Sequence, residues 1–236
     1  MEEQIVSSAP VQEMNWLARI FNIFFEPRKV FESLKAKPKW LVPFIIVCLI
    51  TLLFLFLASG IIVSEQIAKT EANQQLTDAQ ESVIANWIKI SMFVFGPIWL
   101  ALALFAVSLV LYFVFNILMG GDSTFIRVLS VVSHSYLISI PATIVHLPII
   151  LIKKSVDVHT SLALVLPVEL KEKFLYRFLD GFDIFTLWQV IVLALGLSVM
   201  YNFSFKKSFI PILIMWIILI LISALLAGLF AGFGGT

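Results

Sequence analysis

Histidine is the side chain in this sequence best suited to acid–base or metal chemistry, and two of the three histidines lie in one apolar segment. His134 and His146 are 12 residues apart. On a straight helix that spacing corresponds to about 18 Å of rise and about a third of a turn. One metal ion cannot bind both rings unless the helix breaks, for instance at Pro141. Because the third, His159, lies outside this segment, we predict no metal site.

Patterns for other kinds of catalysis are also missing from the sequence. No serine and aspartate stand with a histidine in a recognisable nucleophile motif. Gly120 and Gly121 lack the further glycines of a dinucleotide-binding turn and the Gly-Lys-Ser/Thr of a nucleotide phosphate-binding loop. The sequence therefore predicts no catalytic residue, no cofactor-binding residue and no cofactor, and we expect a protein that is not an enzyme.

Five polar side chains inside the apolar segments allow two interpretations. They are Asn116, His134, Thr143, His146 and Gln189. Polar groups within a membrane often tie helices together through hydrogen bonds. Where proline interrupts a helix, as Pro141 does here, the freed backbone groups can instead line a cavity. These five side chains are therefore candidates for lining a cavity, with a purely structural role as the alternative.

The composition indicates what kind of protein must position these side chains. Of the 236 residues, 61% are hydrophobic and 13% are charged, whereas soluble domains contain about 45–50% and about 25%. This difference excludes a soluble enzyme. The formal net charge of +1 leaves no surplus of cations for contacting phosphates, which excludes nucleic-acid binding. The single cysteine, Cys48, excludes an intramolecular disulfide and a CxxC metal site.

Five continuous apolar runs are long enough to cross a bilayer as helices. They cover residues 41–63, 93–119, 128–152, 184–203 and 209–230. No Asp, Glu, Lys or Arg lies within them, which argues against a proton-coupled pump or a channel for charged substrates. Backbone groups in hydrocarbon must bond within the protein. The predicted fold is therefore an all-α bundle of five transmembrane helices, with a membrane domain over residues 16–236 after a flexible tail over residues 1–15.

Two segments outside these runs are also predicted to be helical. Residues 16–25 carry aromatic side chains at helical spacing and are followed by lysines and arginines, a pattern typical of an amphipathic helix in the membrane interface. Packing of this helix on the bundle's own face is the alternative. Residues 168–180 are predicted to form a helix on the opposite membrane face. Residues 64–88 are predicted to form a loop.

The distribution of lysine and arginine predicts the orientation in the membrane. Five such residues lie between residues 28 and 39, and Lys206 and Lys207 lie between the last two runs. Cytoplasmic loops carry the excess of these cations, so the N-terminus is predicted to be cytoplasmic and the C-terminus to lie outside. The loop over residues 153–183 carries five cations as well and departs from this rule.

A series of short motifs runs through the chain from about residue 20 onward. Pro27 lies in Phe-Glu-Pro-Arg-Lys-Val-Phe, Trp40 ends Lys-Pro-Lys-Trp, and Asp180 and Asp183 lie in Leu-Asp-Gly-Phe-Asp-Ile-Phe. The other motif positions are Gly120, Gly121, Phe125, Pro141 and Gly196. Their order and spacing resemble the Yip-domain family, specifically its short prokaryotic members. The resemblance implies five spans, a cytoplasmic N-terminus and a bacterial plasma membrane.

The same resemblance bears on the partners. Eukaryotic relatives are associated with Rab-type GTPases, but their long cytosolic domain is replaced here by a segment of roughly 40 residues, which argues against GTPase binding. We expect a non-enzymatic membrane scaffold or a membrane-organising, trafficking-like adapter. Its expected partners are the lipid bilayer and either another membrane protein or a second copy of the chain. The alternative is a transporter or permease for a neutral or amphipathic small molecule or a lipid.

Overall fold

The computed structural model describes residues 14–72, 74–171 and 173–233, with side chains described except at position 168 and over 228–233. Within these ranges, five helical segments are long and apolar enough to cross a membrane. They are Leu41–Glu71, Asp78–Leu118, Phe125–Lys153, Ile184–Tyr201 and Phe205–Ala227. The prediction of an all-α bundle with five transmembrane helices is confirmed. The predicted tail lies outside the described residues apart from Met14 and Asn15, and its flexibility stays a prediction.

Nine α-helices follow one another along the described chain. They are α1 (Trp16–Asn22), α2 (Pro27–Ala36), α3 (Leu41–Glu71), α4 (Asp78–Tyr112), α5 (Phe125–Ser135), α6 (Ser139–Lys153), α7 (Phe174–Asp180), α8 (Ile184–Tyr201) and α9 (Phe205–Phe233). The end of α2 and the starts of α5 and α9 lie at the same end of the bundle as the Gly120 turn. We call this the N-terminal end. The connection between α3 and α4 marks the opposite end.

The first two spans form a helical hairpin longer than their apolar runs. The structure has helix where the sequence interpretation placed a loop over residues 64–88, because α3 continues to Glu71 and α4 already begins at Asp78. Thr77 starts α4 with a capping box, in which its side chain accepts from the Gln80 amide and the Gln80 side chain accepts from the Thr77 amide. Reciprocal capping satisfies two amides that otherwise lack helical partners. The hairpin therefore needs only a short connection.

The third span consists of two α-helices joined by a tighter turn. A single 3₁₀ turn, Tyr136–Ile138, separates α5 from α6. Pro141 lies in the first turn of α6, where a missing amide costs little, and its ring is incompatible with an uninterrupted helix through the preceding turn. The second span ends in another irregularity, the π-helical turn Phe113–Leu118. Both interruptions carry buried side chains, which are Leu137 and Ile138 in the 3₁₀ turn and Phe115 in the π-helical turn.

Helix α8 lies at the centre of the bundle, and four of the other helices pack around it. Val192, Ala194 and Leu197 are buried there, and α8 contacts α2, α5, α6 and α9. The outer helices α3, α4 and α9 instead expose apolar side chains along much of their length. Such a surface is stable only where hydrocarbon replaces water as the solvent. The chain is therefore built as an integral membrane protein.

The N-terminal helices combine the two arrangements that the sequence left open. Helix α2 packs against α8 and α5, burying Val30, Phe31 and Leu34 completely. The C-terminal end of α2 is held by Arg127, whose Nε donates to the Lys35 carbonyl at 3.0 Å. Helix α1 instead presents its aromatic face outward, and Phe21 is 65% exposed. The predicted segment over residues 16–25 is itself divided, because Ile23 is buried and Ile20 and Phe24 pack against the core.

The predicted helix over residues 168–180 is shorter in the structure. It divides into a 3₁₀ turn, Val168–Leu170, and the α-helix α7, Phe174–Asp180. Helix α7 packs against α9, where Gly181 lies so close to Ile220 that an added Cβ would come within 2.5 Å of its side chain. The connection between the third and fourth spans therefore covers the end of the bundle opposite the N-terminal helices.

Candidate functional site

A cluster of polar side chains lies where α6, the following loop and the corner between α7 and α8 meet. We call it the polar corner; it consists of His146, Asp157, His159, Thr160, Ser161, Asp180 and Asp183. The backbone sets its geometry through an isolated bridge between Ser161 and Asp183 and through the Leu162 amide, which donates to the Phe182 carbonyl at 3.2 Å. Residues distant in sequence are thereby brought within hydrogen-bonding distance.

Asp183 organises one half of the polar corner. Its Oδ1 caps α8 by accepting from the amides of Phe185 at 2.9 Å and Thr186 at 3.1 Å. Its second oxygen accepts from the Thr160 hydroxyl. Because that hydroxyl has one proton, the His146 Nε2–H must donate to Thr160 Oγ1, 2.8 Å away. The chain of bonds therefore joins the end of the third span to the start of the fourth.

His159 organises the other half. Its Nδ1 lies 2.6 Å from Asp180 Oδ1 and its Nε2 lies 2.6 Å from Asp157 Oδ1. Each ring nitrogen therefore faces a carboxylate oxygen, which accepts the hydrogen bond when that nitrogen carries a proton. Ser161 Oγ donates to Asp180 Oδ1 at 2.7 Å. The Ser161 hydroxyl thus bonds the Asp180 carboxylate, and these bonds together order the loop.

Asp157 is the position in the polar corner whose ionisation is most clearly stabilised by its neighbours. Lys171 Nζ lies 2.6 Å from Asp157 Oδ1. The hydrogen bond from Lys171, assisted by that from His159, holds the pKa of the Asp157 carboxyl below its usual range. A depressed pKa means that ionised Asp157 favours the folded state. This stabilisation is present above the pKa of the unfolded chain and is lost as the pH falls through the folded-state pKa.

Asp157→Asn should therefore lower the melting temperature of the purified protein at pH 7, and the difference from wild type should shrink as the pH falls below about 4. The effect should be a small one, because half-exposed ion pairs contribute at most about 1 kcal/mol. Thermal unfolding in one detergent across this pH range measures it. Asp122→Asn, at an exposed carboxylate at the other end of the bundle, is the control and should stay close to wild type. A deficit for Asp157→Asn that grows toward acid pH would contradict the assignment.

Four of the five polar side chains predicted as cavity-lining candidates bond to neighbouring parts of the protein. Asn116 donates to the Ser123 carbonyl at 2.9 Å and accepts from the Tyr201 hydroxyl. His134 is buried, with Nδ1 2.7 Å from the Ser130 carbonyl of its own helix. Thr143 donates to its own helix as well, and His146 belongs to the polar corner. The structure does not bring these four together in one space.

Gln189, the fifth candidate, lines a cavity of about 460 Å³ between the second, fourth and fifth spans. We call it the membrane cavity. Tyr136, in the 3₁₀ turn of the third span, Thr186 and Trp216 are the other side chains with polar groups that line it, and the rest of its wall is apolar. A wall of this kind suits hydrocarbon and can offer hydrogen bonds to a few polar atoms.

The glycines among the motif positions are explained by the packing. Gly120 has a positive φ of 65°, a conformation that other residues adopt only with strain. At Gly121, an added Cβ would lie 2.5 Å from Tyr201 and 2.7 Å from the Phe115 carbonyl oxygen. At Gly196, it would lie 2.5 Å from a methyl group of Val131. These positions allow helices and turns to approach closely.

The remaining motif positions also shape the fold. Pro27 is the first residue of α2, where proline is well tolerated. Trp40 packs edge-on against Phe105 with the ring centroids 5.5 Å apart, and Phe105 stacks on Phe125 at 6.4 Å. Pro141 lies after the break in the third span, and the two aspartates belong to the polar corner. The motifs therefore mark packing and capping positions at both ends of the bundle.

The contacts of His159 were missed by sequence reasoning, since Asp180 lies 21 residues further along the chain. The alternation of Asp157, His159 and Ser161 was the available signal, because alternate residues of an extended strand share a face. Nothing in the sequence shows that this face turns toward Asp180.

Comparison with known proteins decides the family. The family model for the Yip1 domain matches residues 21–227 of the sequence. The chain belongs to the Yip1 domain family. The resemblance seen in the motifs is thereby confirmed. The chain is also similar to the membrane protein YknW of Bacillus subtilis (strain 168), with 26% identity over 222 residues that cover 92% of this chain and 93% of YknW. No solved structure matches the chain. The Yip1 domain thus extends from the end of α1 through all five spans.

Proposed function

We propose that this Yip1-domain protein is a non-enzymatic membrane scaffold that organises the bilayer and neighbouring membrane proteins through its N-terminal end. The observation that carries the proposal is the way in which α1 and α2 are attached to the bundle. Three fully buried side chains of α2 fix it to the bundle, whereas α1 exposes aromatic and aliphatic side chains. A helix held in this way presents a fixed surface at the level of the membrane interface.

The exposed surface of α1 and its continuation has the chemistry of an interfacial anchor. Trp16 is 52% exposed and Phe25 is 82% exposed. Aromatic side chains favour the headgroup region of a bilayer, where one face is apolar and the other is wet. Arg28 and Lys29 follow immediately, and cations near an anionic leaflet contribute about 1 kcal/mol each. We infer that α1 lies in the leaflet beside the bundle. Other membrane proteins then meet α1 when they approach this side of the bundle.

The charge distribution supports a cytoplasmic location for this end, with the C-terminus outside, in a bacterial plasma membrane. At the opposite end lie seven cations, against eight at the N-terminal end of the bundle outside α1. The eight are Arg28, Lys29, Lys35, Lys37, Lys39, Arg127, Lys206 and Lys207. A membrane protein or a second copy of the chain is the partner expected for the scaffold.

The double variant Phe21→Ser/Phe25→Ser tests the scaffold function because both side chains are exposed and their loss leaves the buried face of α2 intact. Expressed at native level, the variant should lose at least half of the cross-linked membrane proteins that the wild-type chain recovers reproducibly. Leu164→Ser/Val165→Ser removes two exposed apolar side chains at the opposite end and should retain them. If wild type recovers no reproducible partner and its deletion leaves membrane organisation unchanged, the scaffold proposal is wrong.

The membrane cavity favours a second candidate, a permease for a lipid or another amphipathic molecule. Its apolar wall and the amide of Gln189 suit a hydrocarbon chain with a polar group. A transporter would accelerate the movement of a fluorescent phospholipid between the leaflets of reconstituted vesicles, and Gln189→Leu would change that rate. Vesicles that move the lipid no faster than protein-free vesicles would remove this candidate.

A further inference from the structure

A groove at the N-terminal end of the bundle has a charged side and an apolar side. It lies between α2 and the turn that joins α8 to α9, and its volume is about 500 Å³. We call it the basic groove. Its polar lining residues are Arg28, Glu32, Lys35, Ser198, Asn202 and Ser204. Four apolar residues complete it: Leu195, Val199, Phe203 and Phe205. Two chemically different surfaces thus face one space.

The charged side is held in place by contacts within the protein. Lys35 Nζ donates to the side-chain oxygen of Asn202. Asn202 ends α8 with a positive φ of 53°, a conformation that asparagine tolerates better than most residues. Arg28 bonds Glu32 through Nε at 3.1 Å, so the two terminal nitrogens of its guanidinium are the donors that an incoming oxyanion would meet. Asn202 in the turn therefore positions Lys35, and Glu32 in α2 positions Arg28.

Charge complementarity indicates an anionic ligand. Arg28 and Lys35 line the basic groove together with one carboxylate, Glu32. A third cation stands beside it, because Lys207 Nζ lies 3.6 Å above the centre of the Phe203 ring. Cations therefore outnumber carboxylates around the space. A guanidinium and an ammonium group together match the oxygens of a phosphate.

The apolar side identifies the class of molecule that carries the phosphate. Leu195 and Val199 belong to the last turns of the fourth span, and Phe205 begins the fifth. The groove therefore lies where two transmembrane helices emerge from the hydrocarbon, at the level of the lipid headgroups. A free phosphate ion makes no use of the apolar wall, whereas a phospholipid places its glycerol and the start of its acyl chains there. Basic pockets between transmembrane helices bind anionic headgroups in this way.

We propose that the basic groove binds the phosphodiester headgroup of one anionic phospholipid, with Arg28 and Lys35 contacting the phosphate. The lipid then fills the space between α2 and the α8–α9 turn, so that its binding stabilises the attachment of α2 to the bundle. This inference does not depend on the scaffold function, because a protein with any other role in the membrane can hold such a lipid.

Lipid-dependent thermal stability of the full chain in a mild detergent tests the proposal. Phosphatidylglycerol should raise the melting temperature of wild type in a saturable manner, and phosphatidylcholine should do so far less. In Arg28→Ala/Lys35→Ala, the apparent affinity for phosphatidylglycerol should fall on the order of tenfold, since two cations near the phosphate are removed. Lys153→Ala/Lys154→Ala removes two cations at the opposite end and should leave the affinity unchanged.

A second measurement needs no variant and covers the case in which the double variant fails to fold. A photoactivatable phosphatidylglycerol with its reactive group near the headgroup should label wild-type peptides containing residues 28–35 or 195–205. Equal stabilisation by both lipids, or labelling only elsewhere, would overturn the proposal. Inorganic phosphate that reproduces the stabilisation and blocks the labelling at a similar concentration would identify a phosphate-ion site and overturn the assignment to a lipid.

Discussion

Phe31→Ala should lower the free energy of unfolding by about 3–5 kcal/mol, the range found when a large buried aromatic side chain is truncated. Phe31 is completely buried in α2, and its ring reaches the backbone of the central helix at Gly196. An added Cβ on Gly196 would come within 2.9 Å of that ring. The glycine and the phenylalanine therefore form a close pair, and alanine at position 31 leaves a cavity that glycine cannot fill.

Denaturant titration of the purified protein in one detergent, followed by tryptophan fluorescence, measures this loss. Phe25→Ala is the matched control, since Phe25 lies just before α2 and is 82% exposed. Exposed substitutions usually change stability by less than about 0.5 kcal/mol. Comparable losses for the two variants would mean that α2 does not depend on its buried face. Phe31→Ala should also bind an anionic lipid more weakly than wild type, because α2 forms one wall of the basic groove.

Gly121→Ala should destabilise the protein by about 1–3 kcal/mol, as overpacking of a filled interior does. The new methyl group would lie 2.7 Å from the backbone oxygen of Phe115 and 2.5 Å from the ring of Tyr201. The backbone oxygen cannot rotate away. The ring is held by its hydroxyl, which donates to Asn116, and by its packing on Phe115 with the ring centroids 5.3 Å apart. Neither neighbour can make room without breaking another contact.

Gly60→Ala is the matched control for Gly121→Ala, because it also replaces a glycine with alanine. No atom outside its own helix neighbourhood lies within 4 Å of a Cβ built at Gly60, and alanine is favoured over glycine within helices by about 0.5–1 kcal/mol. This variant should therefore be as stable as wild type or more stable, in the same unfolding measurement. Equal destabilisation of Gly60→Ala and Gly121→Ala would show that the close approach at Gly121 is not what determines its effect.

Hydropathy was sufficient to predict the five spans because a continuous apolar run of this length has no other stable solution than a membrane helix. It was insufficient at the hairpin between the first two spans. There the helices continue through charged sequence, and hydropathy carries no signal for a helix in water. The capping box of Thr77 and Gln80 was the sign in the sequence of a helix start at Asp78.

The sites were harder to predict than the spans. The polar corner depends on a loop that folds back over 21 residues to bring His159 to Asp180, and such pairing is decided by tertiary packing. For the polar residues inside the spans, the face of the helix on which a residue lies decides its role. Gln189 lines the membrane cavity, whereas Thr143 bonds its own helix. The basic groove combines two segments separated by more than 150 residues, so neither segment alone indicates a binding site.

The hairpin formed by α3 and α4 has a mechanical consequence. Helix α3 has 31 residues and is therefore about 46 Å long, compared with roughly 30 Å of hydrocarbon. The excess projects on the side of the connection between the two helices, where the Val156 amide donates to Glu65 Oε1 at 2.9 Å. Because α3 continues through this tip without a break, the projecting turns and the first span tilt together as one helix.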